Sequence, residues 1–255
     1  MDDTLKALSQ PQSETEAEAL VEAQPVERLS PPQAFLGVLL RPKATFETMR
    51  DVPTAHWWVV AVVAVLGLVL SRVGDTLAQR NVINATLEAG GVTAGGGGTA
   101  LLVFGLVVSI VIGLIGLAIG YLIRGGLTFG LSLALGGKTN FKQAFRMAVW
   151  TALPEAIGGL LIGIASLLTG RSPAQGLSAA LSAQEALEMP IVNAVLSQVD
   201  IFLIWGFVLL AIGAAVTARV NNIKGLIIAA AFYVLAMLVP ILAALVGSLF
   251  VNGFA

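Results

Sequence analysis

The sequence predicts an all-α polytopic membrane protein: a bundle of five transmembrane helices with N-terminal amphipathic surface helices and no substantial soluble domain. Three observations predict it. Long uncharged apolar runs recur along the chain, the apolar residues exceed what an interior of this size buries, and basic residues concentrate on alternate connecting segments. With 57% hydrophobic and 11% charged residues and a mean hydropathy of +0.90, the surplus must face lipid. Three divisions follow: an acidic tail over 1–30, amphipathic helices over 31–51 and a membrane domain over 52–255.

The tail places Asp2, Asp3, Glu14, Glu16, Glu18, Glu22 and Glu27 against Lys6 and Arg28, with prolines and no aromatic residue, the composition of a solvated, disordered segment. It carries no apolar core after a basic start. A cleavable signal peptide is therefore not expected, and the first span directs insertion. From Ser30 a cap residue, Pro31 at a first helical position and the stripe Phe35, Leu36, Leu39, Leu40 predict a helix too short to span. Pro42 breaks and restarts it, with Phe46 and Met49 apolar and Lys43, Glu47 and Arg50 polar. Residues 31–50 read either as a helix pair lying on the membrane surface or as a cytosolic pair packed on the rest of the protein.

A hydrocarbon core takes roughly 20 residues of helix to cross. Five runs qualify: Val52 to Ser71, Leu101 to Ile123, Phe141 to Leu168, Ile201 to Ala218 and Gly225 to about Val251. Pro154 and Pro240 fall inside two of them, which membrane helices tolerate when neighbours satisfy the freed carbonyls. His56, Trp57 and Trp58 open the first run and suit a headgroup boundary; a lone histidine there reads as an interfacial neighbour rather than a switch. With an interior N-terminus, the inside segments carry ten basic residues (Lys6, Arg28, Arg41, Lys43, Arg50, Lys138, Lys142, Arg146, Arg219, Lys224), the outside loops three (Arg72, Arg80, Arg171). That bias predicts a cytosolic N-terminus, an extracytoplasmic C-terminus and residence in the inner, cytoplasmic membrane.

The connecting segments are expected to be simple. Gly95 to Gly98 reads as a flexible linker, since no Lys-Ser or Lys-Thr pair follows to make a phosphate loop. Residues 172–190 read as a short amphipathic extracytoplasmic helix ended by Pro190. Gly136-Gly137 terminates one helix and Asn140 with Gln143 resembles a capping box for the next, a tight basic hairpin with Lys138, Lys142 and Arg146.

Several pieces around these spans resemble the Yip family of Rab-interacting membrane proteins, in the broad sense that includes bacterial members. They are Phe35-Leu36-Gly37-Val38-Leu39-Leu40-Arg41-Pro42 with Phe46, then Gly136-Gly137-Lys138-Thr139-Asn140-Phe141 followed by Ala152-Leu153-Pro154, then Asp200-Ile201-Phe202-Leu203-Ile204-Trp205. Together they cover most of residues 31–250 and single out Arg41, Pro42, Gly136, Gly137, Pro154, Asp200 and Trp205 as motif positions. The resemblance implies a five-helix fold with a cytosolic N-terminus. Eukaryotic members bind Rab GTPases and shape early secretory membranes, and some bacterial members are associated with ABC-type exporters; no residue here identifies such a partner.

Charges inside spans are expensive and are usually paired. If the second helix continues past Arg124 to Gly136, as the resemblance implies, Arg124 lies 12 residues before the hairpin and Glu155 lies 14 after Phe141. Both then sit about 18–21 Å deep at 1.5 Å per residue, one on each arm. The expected ion pair locks two helices or serves an ion or proton relay; alternatively Arg124 snorkels at an interface. Asp200 reads as a helix-end residue rather than a partner of Arg72. Gly105, Ser109 and Gly113, then Gly116 with Gly120, Gly126 with Gly130, and Gly159 with Gly163 predict close helix contacts within the bundle or, secondarily, in a homo-oligomer.

Chemistry of other kinds is disfavoured. With no cysteine and one histidine, thiolate or imidazole metal sites and disulfides are not expected, and no cofactor is implied. A net charge of −1 argues against nucleic-acid binding. No paired aspartate or Ser/His arrangement supports an intramembrane enzyme. A non-enzymatic scaffold or adaptor for other membrane proteins, ABC exporter subunits among them, is therefore the leading reading, and a transporter or channel component built on Arg124 and Glu155 the alternative.

Overall fold

A computed structural model describes residues 29–52, 56–89, 96–171 and 173–253. The acidic tail up to Arg28 and Gly95 of the glycine run lie outside the described residues. Among the described residues all regular structure is helical: α1 (Pro31–Leu40), α2 (Pro42–Asp51), α3 (Trp58–Ala89), α4 (Gly96–Ala134), α5 (Phe141–Thr151), α6 (Leu153–Thr169), a short 3-10 turn (Gly176–Ala180), α7 (Ala183–Glu188), α8 (Pro190–Ser197), α9 (Ile201–Ala218) and α10 (Asn222–Gly253). Segments Trp58–Arg80, Ala100–Ala134, Ile201–Ala218 and Asn222–Gly247 are long and apolar enough to cross a membrane, and α5 with α6 makes a fifth. The protein is an all-α polytopic membrane protein.

Proline sets both ends of the α1–α2 pair. Pro31 and Pro42 each stand in the first turn of a helix, where a missing N–H costs nothing, and Ser30 N donates to Gln33 Oε1 (2.8 Å) to close the first cap. Arg41, between the helices, takes a non-helical backbone and the chain turns there. Ala34, Val38 and Phe46 point inward and are buried, and α2 packs on α9. The opposite face leaves Leu36 and Leu40 exposed, at 55% and 75%.

The first span starts later than expected: Val52 caps α2 in an extended conformation, and the long helix begins at Trp58. Trp57 is half-buried and lies edge-on to Phe145 (5.5 Å, 77°), while Trp58 faces out. The paired tryptophans are thus divided between packing and exposure. The glycine run is corrected too, since Gly96, Gly97 and Gly98 open α4 rather than forming a linker; the strongly apolar run behind them propagates helix back through residues of poor propensity.

The third span is broken. Ala152 leaves helical geometry (φ −84°, ψ 2°) and the two halves meet at 40°. Pro154 lacks the N–H for the fourth carbonyl back, and its ring crowds that turn; it sits comfortably instead in the first turn of α6. The same logic corrects Pro190, which opens α8 rather than ending the preceding helix. That preceding helix is only α7, closed by a Ser182–Glu185 capping box in which Ser182 N donates to Glu185 Oε2 at 2.8 Å.

One end of the bundle is pinned by hydrogen bonds. Gly136 adopts φ +79° and Gly137 N donates to Ser132 O (2.8 Å), which terminates α4. Lys138 N then donates to Ala218 O (2.8 Å) at the end of α9, and Lys224 Nζ donates to Leu135 O (2.7 Å) just past α4. A Cβ on Gly137 would come within 2.8–2.9 Å of the carbonyls of Ser132 and Ala218, so a side chain there would part the two helix ends. Asn140 caps α5 by accepting from Gln143 N at 2.9 Å. Beside this end lies a hydrophobic core, with Trp150, Leu153, Leu209, Leu210, Phe46 and Ile228 buried together.

Small residues bring helices together, but not mainly those the spacing indicated. The most extensive pairing is α3 with α6. A Cβ on Gly67 would sit 2.7–2.8 Å from the backbone at Gly159–Leu160, and one on Gly163 would sit 2.8 Å from the carbonyl of Gly67. On α4, by contrast, Gly105, Gly116, Gly120, Gly126 and Gly130 face open space, while Gly113 meets the side chain of Leu68 and Gly125 stands against Phe145 of α5. No residue from Leu101 to Ile123 is buried.

Candidate functional site

The polarity of α4 changes at Arg124. Arg124, Thr128 and Ser132, one turn apart, form a buried stripe on a helix whose first half is turned outward. Arg124 is 3% exposed, and its guanidinium reaches the break between α5 and α6. Nη1 donates to Glu155 Oε2 at 2.7 Å, and Nη2 donates to the Thr151 carbonyl at 3.2 Å and to the Tyr233 hydroxyl at 3.3 Å. The Tyr233 hydroxyl in turn donates to Glu155 Oε1, which closes a ring of charge-assisted hydrogen bonds.

Each member is placed by a feature of its own element. The broken span puts Thr151 at the last turn of α5, where its carbonyl is open to a side-chain donor, and puts Glu155 in the first turn of α6, where a helix N-terminus favours a carboxylate. From α10, the Phe232 and Tyr233 rings flank the guanidinium, 4.9 and 5.6 Å from its central carbon. From α9, Gly206 makes room: its Cβ would stand 2.6 Å from the Tyr233 hydroxyl and closer still to Glu155. One arginine therefore ties α4 to the broken span and to α10, with α9 allowed in only because residue 206 has no side chain.

The structure thus brings Arg124 and Glu155 into contact and adds Tyr233, Thr151 and Gly206, which sequence reasoning missed. A signal was present. The chain has two tyrosines, Tyr233 and Tyr121, and Tyr121 lies beside Glu155 on the wall of a cavity; phenols in an apolar span take hydrogen-bond partners where they can. Asp200 is a helix cap, accepting from Phe202 N at 2.7 Å, while Arg72 stands 3.8 Å from Asp75. Arg41 and Pro42 form the α1–α2 junction, Gly136 and Gly137 the α4 terminus, and Trp205 packs against the core, so these motif residues serve chain geometry. Trp58 opens α3, with His56 and Trp57 in the turn before it.

Among the described residues no group of three or more His, Cys, Asp or Glu side chains could hold a metal ion. The arrangement is an electrostatic clasp. A buried guanidinium and carboxylate neutralise each other, and the loss of one alone would strand the other.

Comparison with known proteins agrees with this architecture. No solved structure matches the chain. It is similar to a Bacillus subtilis (strain 168) protein described as membrane protein YknW, 27% identical over 224 residues that cover 84% of this chain and 91% of that protein. The family model of the Yip1 domain matches residues 36–244, from α1 to within α10 and across every element of the clasp. The chain therefore belongs to the Yip1 domain family of membrane proteins.

Proposed function

We propose that this protein is a non-enzymatic adaptor of the inner, cytoplasmic membrane that assists assembly or regulation of another membrane complex, an ABC-type exporter being one such complex. The single observation that carries the reading is the fastening of α1–α2. Ala34, Val38 and Phe46 bury one side of the pair against the bundle, while Leu36 and Leu40 on the other side stay exposed. The platform continues into the basic hairpin: Met49, Arg50, Gln143 and Arg146 share a small hollow with Phe46, and Lys138 and Lys142 are exposed nearby. A fixed apolar ridge beside a cationic rim is suited to hold a partner without chemistry of its own.

Co-purification in mild detergent tests it. The parent chain should bring down a defined membrane complex, and Leu36→Ser with Leu40→Ser should lose that complex at unchanged melting temperature. Retention of the complex by the double variant would sink the reading. The orientation it requires, N-terminus in the cytosol and C-terminus outside, has a separate test in a chain without native cysteine. Cysteines introduced at Ser13 and Asn252 should be labelled from opposite sides of the membrane, and labelling of both from one side would remove it.

A second reading, a transporter or channel component, draws support from the intramembrane charges themselves. Ion flux through the purified protein in liposomes would favour it over the adaptor.

A further inference from the structure

A cleft of about 400 Å³ lies between α3, α4 and α6, within the ~300–1,000 Å³ typical of small-molecule sites. Glu155, Gly159, Ile162 and Ser166 supply one wall, all from one face of α6. From Glu155 to Ser166 that face is about 16 Å long at 1.5 Å per residue. The cleft starts at the clasp and ends at Arg72, Asp75 and Gln175, at the end of the bundle away from α1 and α2.

At the clasp end its chemistry is one-sided. Glu155 faces the cleft with its side chain 26% exposed, whereas Arg124 is 3% exposed and does not line it. The cavity therefore meets the negative end of the ion pair. Each carboxylate oxygen has a second acceptor site beyond the bond it already takes. A second, independent observation lies further along: Ser166 lines the cleft, is 1% exposed, and its Oγ has no hydrogen-bond partner. Between these polar points the walls are apolar, with Leu68, Leu117 and Ile162.

We infer that this cleft is a binding site for an amphiphile with a protonated amine head. The ammonium donates to the open acceptor sites of Glu155, and the alkyl body lies along Leu68, Leu117 and Ile162. An anionic head is disfavoured by the carboxylate, and an uncharged one leaves the dipole of the pair unanswered. The site is independent of the adaptor surface, which lies at the other end of the bundle.

The test uses the full chain in phosphatidylcholine nanodiscs and a photoreactive diazirine-bearing alkylammonium as the probe. Saturable crosslinks should map to the α3, α4 and α6 walls, and octylammonium should compete for them while octanol and octyl sulfate do not. Gly159→Leu is the informative variant, because a Cβ there meets nothing within 4 Å and the side chain enters the cleft. It should weaken binding by at least about tenfold at a parent-like melting temperature. If that variant fails to fold, Leu117→Ser decides, because it sets a hydroxyl on the path of the alkyl body, with an expected drop of about threefold or more. Absence of saturable crosslinks, equal competition by octanol or octyl sulfate, or parent-like binding by the folded Gly159→Leu or by Leu117→Ser would each overturn the site. Leu36→Ser with Leu40→Ser should bind the probe like the parent, so failure of the site and failure of the adaptor reading are distinguishable.

Discussion

Helices α3 and α4 are both long, apolar and glycine-containing, yet they join the bundle by different means. On α3, Gly67 and Gly74 bring the helix against the backbone of α6, so attachment is spread along a close-packed seam. On α4, five glycines face outward, and burial begins only at Arg124, with the polar stripe and with Gly125 set against Phe145. The lesson is that small-residue spacing marks a helix able to approach another, while the position of the helix in the bundle decides whether anything is there to approach. In lipid this distinction is sharp, since an outward apolar face carries no penalty.

The largest effect should come from the clasp. Arg124→Leu or Glu155→Leu alone leaves an uncompensated buried charge and should cost about 3–5 kcal/mol, read as a lowered melting temperature in detergent. The double change should recover much of that loss, because two apolar residues need no partner. A double variant as unstable as the singles would mean that α4 is held by directional bonds to Thr151 and Tyr233 rather than by charge balance. A stable double variant that has lost a transport activity would instead favour a relay. On the α3 side, Gly67→Leu inserts a side chain where the α6 backbone stands within 2.8 Å, and overpacking of this kind should cost about 1–3 kcal/mol. Parent-like stability of that variant would show that the seam yields more easily than the close approach suggests. The smallest effect is expected at Gly116→Ala and Gly120→Ala, where the new methyl meets nothing within 4 Å and helix propensity favours alanine by about 0.5–1 kcal/mol. A fall in melting temperature there, lost on dilution of the protein, would reveal a second copy seated on α4.

Much of the bundle was legible because hydrophobic runs bounded by charge have few other outcomes in a membrane; α9 begins and ends where its uncharged run does. Element ends were less legible at prolines, with Pro190 read as the end of a helix and Pro154 as a residue inside one span. Pro154 and Pro190 both begin helices, because a residue that cannot donate is most at ease where no donor is needed. The ion pair could be anticipated once the second helix was carried past Arg124 to Gly136, as the resemblance implied, since two charges at matched depth on adjacent arms have few alternatives to each other. Its completion by Tyr233 could not, because α10 is remote in sequence and only the packing of α9, with Gly206 at the crossing, decides which turn of α10 faces the pair. The unused glycines of α4 failed as contact markers for the reason given above: a spacing defines a face, and nothing local states where that face points.

The sequence separation inside the clasp has a consequence for how the chain is made. Glu155 follows Arg124 by 31 residues and Tyr233 follows it by 109, so during N-to-C synthesis the guanidinium emerges well before either partner. An arginine at the centre of an inserting helix costs about 2.5–3.5 kcal/mol on the translocon scale. Segment Ala100–Ala134, whose most apolar 18-residue stretch has a mean hydropathy of 2.9, carries enough apolar length to enter the bilayer with that burden unaided. The following span is α5 with α6, and its Glu155 enters after the guanidinium it neutralises, so the early, unaccompanied arginine is the fixed point to which the later helices attach.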